Sequence, residues 1–274
     1  MLPKSLIVFV CLGLSACVSQ QSHKATNKAQ VALEFNREQA AKARLDLALS
    51  YLEHSNFQQA KVNFDKALMF APRLAQVHYS RAYYFQKVGD EQQAQQSYKK
   101  AYQLAPNDPE VLHNYGSFLC AKGEFEQAKS LLLAAISSPN YAKANKTYLN
   151  LAYCSIELGY FKEAEGYLEL AYNRAPENSE ISLMLAGLNF GFEQYGKAMV
   201  WYQKNQHSSA RGLLLGWFIY QALGFEELAK QTHQALLKRY PDANETEQLI
   251  NNFGVETEFW QLKRRIFNTV KTLK

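Results

Sequence analysis

Proline and glycine are scarce in these 274 residues, at 7 and 13, and cysteine is scarcer still at 4. Those counts exclude a collagen-like, low-complexity or disulfide-framed chain. General disorder is excluded too, because 17 Tyr, 16 Phe and 3 Trp supply the apolar area that offsets chain entropy. Long hydrophobic runs are missing: the apolar stretch Leu6 to Leu14, at the extreme N-terminus, is too short to cross a bilayer. No charge sign dominates, since 30 Lys and Arg face 25 Asp and Glu, and a formal net charge of +5 is too mild to argue for nucleic acid. Catalytic signatures are also absent. His23, His54, His78, His113, His207 and His233 show no paired metal-ligand spacing, and there is no Gly-rich phosphate loop, nucleophile elbow or Cys-x-x-Cys. No metal, cofactor, small-molecule substrate or enzymatic activity is therefore expected.

What is present begins with a leader. Lys4 supplies a positive n-region, Leu6 to Leu14 an apolar core, and Leu14-Ser15-Ala16-Cys17 ends it with small residues ahead of a cysteine. Those four residues resemble the bacterial lipobox. The resemblance implies removal of residues 1–16 and acylation of Cys17. Three acyl chains exceed the two signals that stable anchoring needs. Val18 stands where lipoproteins kept in the inner membrane typically carry Asp, which by the same resemblance implies the periplasmic face of the outer membrane. Residues 17–27 are polar and unpatterned and read as a tether, ten residues of which reach about 33 Å when extended.

From Lys28 helical spacing begins, and the chain repeats itself. Ala60, Ala94, Ala128, Ala164 and Ala198 stand 34, 34, 36 and 34 residues apart, with Ala229 a further 31 on. Ala48, Ala82, Gly116, Ala152 and Ala186 form a second small column, each twelve residues before its partner. Phe64, Tyr98, Leu132, Leu168 and Tyr202 form a large column, each four residues after the alanine. Gly89, Gly123, Gly159 and Gly224 punctuate the middles; Pro72, Pro106, Pro139, Pro176 and Pro241 close the units. Small residues let two antiparallel helices approach, the large one fills the space beside them, glycine permits the turn and proline stops the second helix. The pattern resembles the tetratricopeptide repeat (TPR). It predicts an all-α, right-handed superhelical solenoid of about six TPR helix-turn-helix repeats over residues 28–243, at about 41–74, 75–108, 109–142, 145–178, 179–209 and 210–243. The last two units are degraded: Asn205 replaces an alanine, and Trp217 falls in the small column.

The first helix of each unit is expected to line a concave face. Spacing assigns to that face Leu45, Leu49 and Leu52, then Tyr79 and Tyr83, then His113, Ser117 and Cys120, then Leu149, Tyr153 and Ile156, then Leu183 and Phe190, then Leu214 and Phe218. A carboxylate clamp is not expected, because only Asn114 and Lys146 fall where that pattern wants them. A segment bound along its length, with aromatic contacts and with Asn114 and Asn150 pairing its backbone, suits this composition better. The alternative reading is that many of these side chains pack between neighbouring helices.

Asn114-Tyr115-Gly116-Ser117-Phe118-Leu119-Cys120, with Gly123, Ala128, Pro139-Asn140-Tyr141, Tyr148-Leu149-Asn150 and Cys154, resembles the signature of the PilF/PilW family of pilotins. The resemblance implies an outer-membrane lipoprotein of type IV pilus biogenesis, a non-enzymatic scaffold whose partner is the pilus secretin. A different periplasmic TPR lipoprotein, such as an adaptor for a cell-wall enzyme or an outer-membrane assembly factor, shares the lipobox and repeats but not that string. Cys120 and Cys154 fall at nearly equivalent places on first helices of adjacent units. In an oxidising compartment they can pair; the alternative is two buried thiols acting as small hydrophobes.

The C-terminal segment, residues 244–274, is expected to hold a capping helix and a basic tail. Phe259, Leu262, Ile266, Val270 and Leu273 recur at helical spacing, with Lys263, Arg264, Arg265, Lys271 and Lys274 between them.

Overall fold

The computed structural model describes residues 36–139, 141–205, 207–246 and 261. The expected leader, Cys17 and tether, the first residues of the predicted solenoid, and nearly all of the predicted C-terminal cap and tail lie outside the described residues. Within them the chain is all-helical. Six antiparallel pairs follow one another: α1 (Arg37–Glu53) with α2 (Phe57–Phe70), α3 (Ala75–Lys87) with α4 (Glu91–Leu104), α5 (Pro109–Ala121) with α6 (Phe125–Ile136), α7 (Ala144–Glu157) with α8 (Phe161–Tyr172), α9 (Ser179–Gly191) with α10 (Tyr195–Tyr202), and α11 (Ala210–Ala222) with α12 (Glu226–Arg239). Each second helix packs on the first helix of the next pair, and α1, α3, α5 and α7 succeed one another along one face.

Helix starts are set locally. Asn36, Asn56, Asp90, Asp108, Asn178 and Ser209 each accept a hydrogen bond from a first-turn amide through the side chain. Between paired helices the backbone must turn through the left-handed region. Glycines 89, 123, 159 and 224 do so at φ of 74 to 82°. The equivalent positions in the first and fifth pairs are Ser55 (φ 57°) and Glu193 (φ 60°), so the turn geometry persists where the glycine signal is absent.

The small columns are the helix contacts: Ala48, Ala82, Ala152 and Ala186 are fully buried, as are Ala60, Ala94, Ala128, Ala164, Ala198 and Ala229. Phe64, Tyr98, Leu132 and Leu168 fill the core beside them. Gly116 stands where its equivalents are alanine because a Cβ there would lie 2.9 Å from Leu132 Cγ and 3.2 Å from the Ala128 carbonyl oxygen.

The degraded units depart from the column reading in two places. The close approach of the last pair to the repeat before it is made by Gly216, where a Cβ would collide with the Tyr202 hydroxyl. Trp217, one place later, is half-buried with its ring 4.9 Å from that of Phe218. Asn205 lies outside the helix altogether: its amide donates to the Pro176 carbonyl (3.2 Å) and the Ser182 hydroxyl (3.0 Å), while α10 stops at Tyr202 after 8 residues. No helix among the described residues is long and apolar enough to cross a membrane.

Candidate functional site

The residues assigned to the concave face divide into two groups with different surroundings. At the first two repeats they form an apolar, partly open surface. Leu49 is half-buried against the main core, Tyr79 is half-buried between that core and the cluster of Ala75, Ala101 and Val111, and Tyr83 is 41% exposed. The Lys87 ammonium lies 5.3 Å from the Tyr83 ring centroid, which holds that ring at the rim. Burial, with Glu110 and Asp108 nearby, pushes the Tyr79 phenol well above its usual range, so it stays a neutral donor. Leu45 does not belong to this surface. It is fully buried in the cluster that holds Phe64, Val77 and Tyr84, so it supports the groove from below and touches no ligand.

At the third and fourth repeats the assigned polar residues are engaged with the protein itself. Side chains one repeat apart meet along the length of α5 and α7. Lys143 Nζ lies 2.7 Å from Glu110 Oε2. His113 Nδ1 lies 2.8 Å from Thr147 Oγ1. Asn150 donates to the Ser117 hydroxyl, and Cys120 is joined to Cys154 by a disulfide with the Cα atoms 5.8 Å apart. Asn114 donates to the Glu110 carbonyl of its own helix at 2.6 Å. The amide donors of Asn114 and Asn150 therefore serve this seam and their own helix, where the spacing argument assigned them to a bound segment's backbone. Leu149 is half-buried against the core of repeat 4, and Tyr153 donates to the Glu180 carboxylate. Thr147, Lys143 and Glu110 were missed by the sequence reading. The signal that finds them is a hydrogen-bonding pair separated by one repeat length.

Burial, with Lys143 and Lys146 nearby, holds the His113 imidazole down at about 4. A histidine with a folded value below 6.5 contributes stability that is complete above about pH 6.5 and lost as pH falls towards about 4. His78 and His207 are lowered by burial in the same direction. At about 1.4 kcal/mol per unit of pKa, the lowering of His113 alone amounts to roughly 3 kcal/mol. We expect denaturant unfolding of His113→Gln to show a shallower loss of stability between pH 6.5 and 4 than the parent; identical slopes would remove this assignment.

Among the described residues no group of three or more His, Cys, Asp or Glu is placed to hold a metal ion. A cleft of about 330 Å³ at the fifth and sixth repeats, lined by Tyr202, Asn205, His207, Tyr220 and Arg239 among others, is wide open to solvent. What the fold offers is an interaction surface on stacked helix pairs.

That architecture defines a class. Tetratricopeptide-repeat family models match residues 85–140 and 146–178, and the chain is a TPR solenoid. It is, further, homologous to PilF and structurally similar to PilF and PilW, TPR proteins of type IV pilus biogenesis. It is 28% identical over 249 residues to the type IV pilus assembly protein PilF of Pseudomonas aeruginosa, covering 89% of this chain and 96% of that one. The crystallised P. aeruginosa PilF superposes with a TM-score of 0.72 at 28% identity, covering 78% of this chain and 98% of that one. PilW, a widely conserved type IV pilus biogenesis factor, gives 0.72 at 27% identity, covering 77% and 99%. An uncharacterised protein of Haemophilus influenzae is 38% identical over 151 residues, 55% of this chain and 78% of that protein.

Proposed function

We propose that the chain is a pilotin: a lipoprotein anchored through Cys17 to the periplasmic face of the outer membrane, acting as a scaffold that binds the type IV pilus secretin and promotes its localisation or multimerisation there. The observation that carries this reading is the likeness to PilF along 89% of the chain, which takes in the repeats that form the open groove. Leu49 and Tyr83 offer that groove an aliphatic and an aromatic anchor, and aromatic side chains bury large area with few rotors. The lipobox ending in Cys17 supports the location, because a thiol-linked acyl group holds a scaffold where a secretin must assemble.

The test uses Leu49→Ala with Tyr83→Ala, which leaves the more deeply packed Tyr79 in place. If both are anchors, affinity for the secretin falls by about 2 kcal/mol or more, close to thirtyfold, with the helical circular-dichroism signal retained. Secretin multimers in the outer membrane and surface pili should decrease while the lipoprotein stays at its normal level. Normal multimers and pili with a folded variant would exclude this groove as the secretin site. A gene deletion without effect on the secretin would favour a periplasmic adaptor instead.

A further inference from the structure

The second helix of the fifth repeat stops early, and a cleft opens where it stops. α10 runs for 8 residues, whereas α2, α4 and α12 run for 14 and α6 and α8 for 12. At 1.5 Å per residue it is short by about 6–9 Å. The space it leaves is the cleft of about 330 Å³ bounded by Tyr202, Tyr220 and Arg239, near the lower end of ligand-site volumes. Its walls are fixed before any ligand arrives. The Asn205 amide is held by the Pro176 carbonyl and the Ser182 hydroxyl. The His207 ring lies 4.9 Å from that of Tyr202, and Tyr220 stands edge-on to Tyr202 at 5.9 Å. The Tyr240 hydroxyl donates to the Ser208 carbonyl at 2.7 Å, which ties the end of α12 to the residues that follow α10.

Free donors converge here. Among the described residues the side chains of Arg239, Tyr220 and Gln203 make no ion pair or hydrogen bond, and all three line the cleft. Burial holds the phenols of Tyr202 and Tyr220 above their usual range and the His207 imidazole below its own, so these rings are neutral at pH 7. Arg239 is then the one charged side chain among the described residues on the walls. The surrounding chain does not offset it: in a protein with 25 Asp and Glu, residues 194–225 and 228–241 contain neither, yet they carry Lys197, Lys204, Arg211, Lys230, Lys238 and Arg239. One guanidinium among neutral donors matches the single charge of a carboxylate. A lipid surface calls instead for several cations on one patch. α10 and α12 both end at the cleft, at Tyr202 and Arg239, and the last carbonyls of a helix lack intrahelical donors. A peptide backbone has N–H groups to give them; a phosphodiester has none.

We propose that this cleft is a second recognition site, which takes an acidic side chain of an extended peptide segment: the Arg239 guanidinium pairs with the carboxylate, and the Tyr220 hydroxyl and Gln203 amide donate beside it. The site is separate from the surface at Leu49 and Tyr83, four repeats away, so one partner can be held at both ends of the solenoid or two partners at once. It rests on the last two repeats alone and holds whether or not the partner is a secretin.

The test is fluorescence anisotropy of a rhodamine-labelled peptide of alternating Glu and Ala titrated with the full mature chain, with Gln replacing every Glu in the control peptide. The expected result is saturable binding of the Glu peptide and binding of the Gln peptide at least tenfold weaker. Arg239→Gln should weaken the Glu peptide at least tenfold and Tyr220→Phe severalfold. Lys230→Gln, which removes an exposed charge outside the cleft, should change it less than twofold. Arg239 is exposed at a helix end, so its replacement spares the core, and circular dichroism checks the fold. Arg239→Glu should reverse the preference, towards a peptide of alternating Lys and Ala. No binding of the Glu peptide, binding indifferent to Arg239→Gln, an equal loss with Lys230→Gln, or displacement by equimolar inorganic phosphate or by anionic vesicles would each overturn the proposal.

Discussion

Replacing both cysteines, Cys120→Ala with Cys154→Ala, should lower stability by about 3–4 kcal/mol, the largest change expected from any pair of conservative substitutions in this chain. The bridge closes a loop across 34 residues, and removing it returns that loop's closure entropy to the unfolded state. For a domain of this size the melting temperature should fall by roughly 10 °C. The other ties between α5 and α7 do not compensate. The Glu110 to Lys143 pair is half-exposed on the lysine side at 51%, and such pairs contribute about 0–1 kcal/mol. The contacts of His113 with Thr147 and Ser117 with Asn150 contribute about 1 kcal/mol each. Denaturant titration of the double variant beside the oxidised parent measures the difference directly. A loss below 1 kcal/mol would mean that the unfolded chain already holds these helices in register, and the loop-entropy account would fail.

The same seam shows where sequence reasoning succeeds and where it stops. The small and large columns were legible because they state a packing requirement that recurs every turn of the solenoid: Ala60, Ala94 and Ala128 are buried for one reason, and a period exposes one reason readily. Gly216 was not legible because the last pair meets the repeat before it through Tyr202, and the small residue moved one place to admit that hydroxyl. Asn114, His113 and Asn150 were read as groove residues because spacing locates a side chain on the face of its own helix. Spacing does not say what the next helix brings to it. Here the next helix brings Thr147, a residue whose hydroxyl has the right reach and whose sequence position carries no mark of its own. Leu45 failed similarly: first-repeat position suggested the groove, while the side chain turns into the core.

Phe118 and Tyr115, which belong to the string that marks the family, make the junction of repeats 2 and 3 the other place to cut. Tyr98 is 2% exposed and lies between them and its own repeat, its ring 4.9 Å from Phe118 and 6.0 Å from Tyr115, its hydroxyl donating to Gln86 Oε1 at 2.6 Å. Tyr98→Ala should cost about 3–5 kcal/mol, as aromatic truncations in packed cores do, while Tyr98→Phe should cost only about 1 kcal/mol for the hydrogen bond. Because a solenoid is held by nearest-neighbour contacts, the alanine variant should also uncouple repeats 1 and 2 from the rest. The chain carries a reporter for this. All three tryptophans, Trp201, Trp217 and Trp260, lie in or after the fifth repeat, so their fluorescence follows the C-terminal part alone, whereas circular dichroism follows every helix. In Tyr98→Ala the dichroism transition should begin at lower denaturant while the fluorescence midpoint stays near that of the parent. The surface at Leu49 and Tyr83 lies wholly on the loosened side, so partner binding should be lost before the fluorescence changes. Coincident transitions moving together would instead make the six repeats a single cooperative unit, with the junction at Tyr98 no weaker than any other.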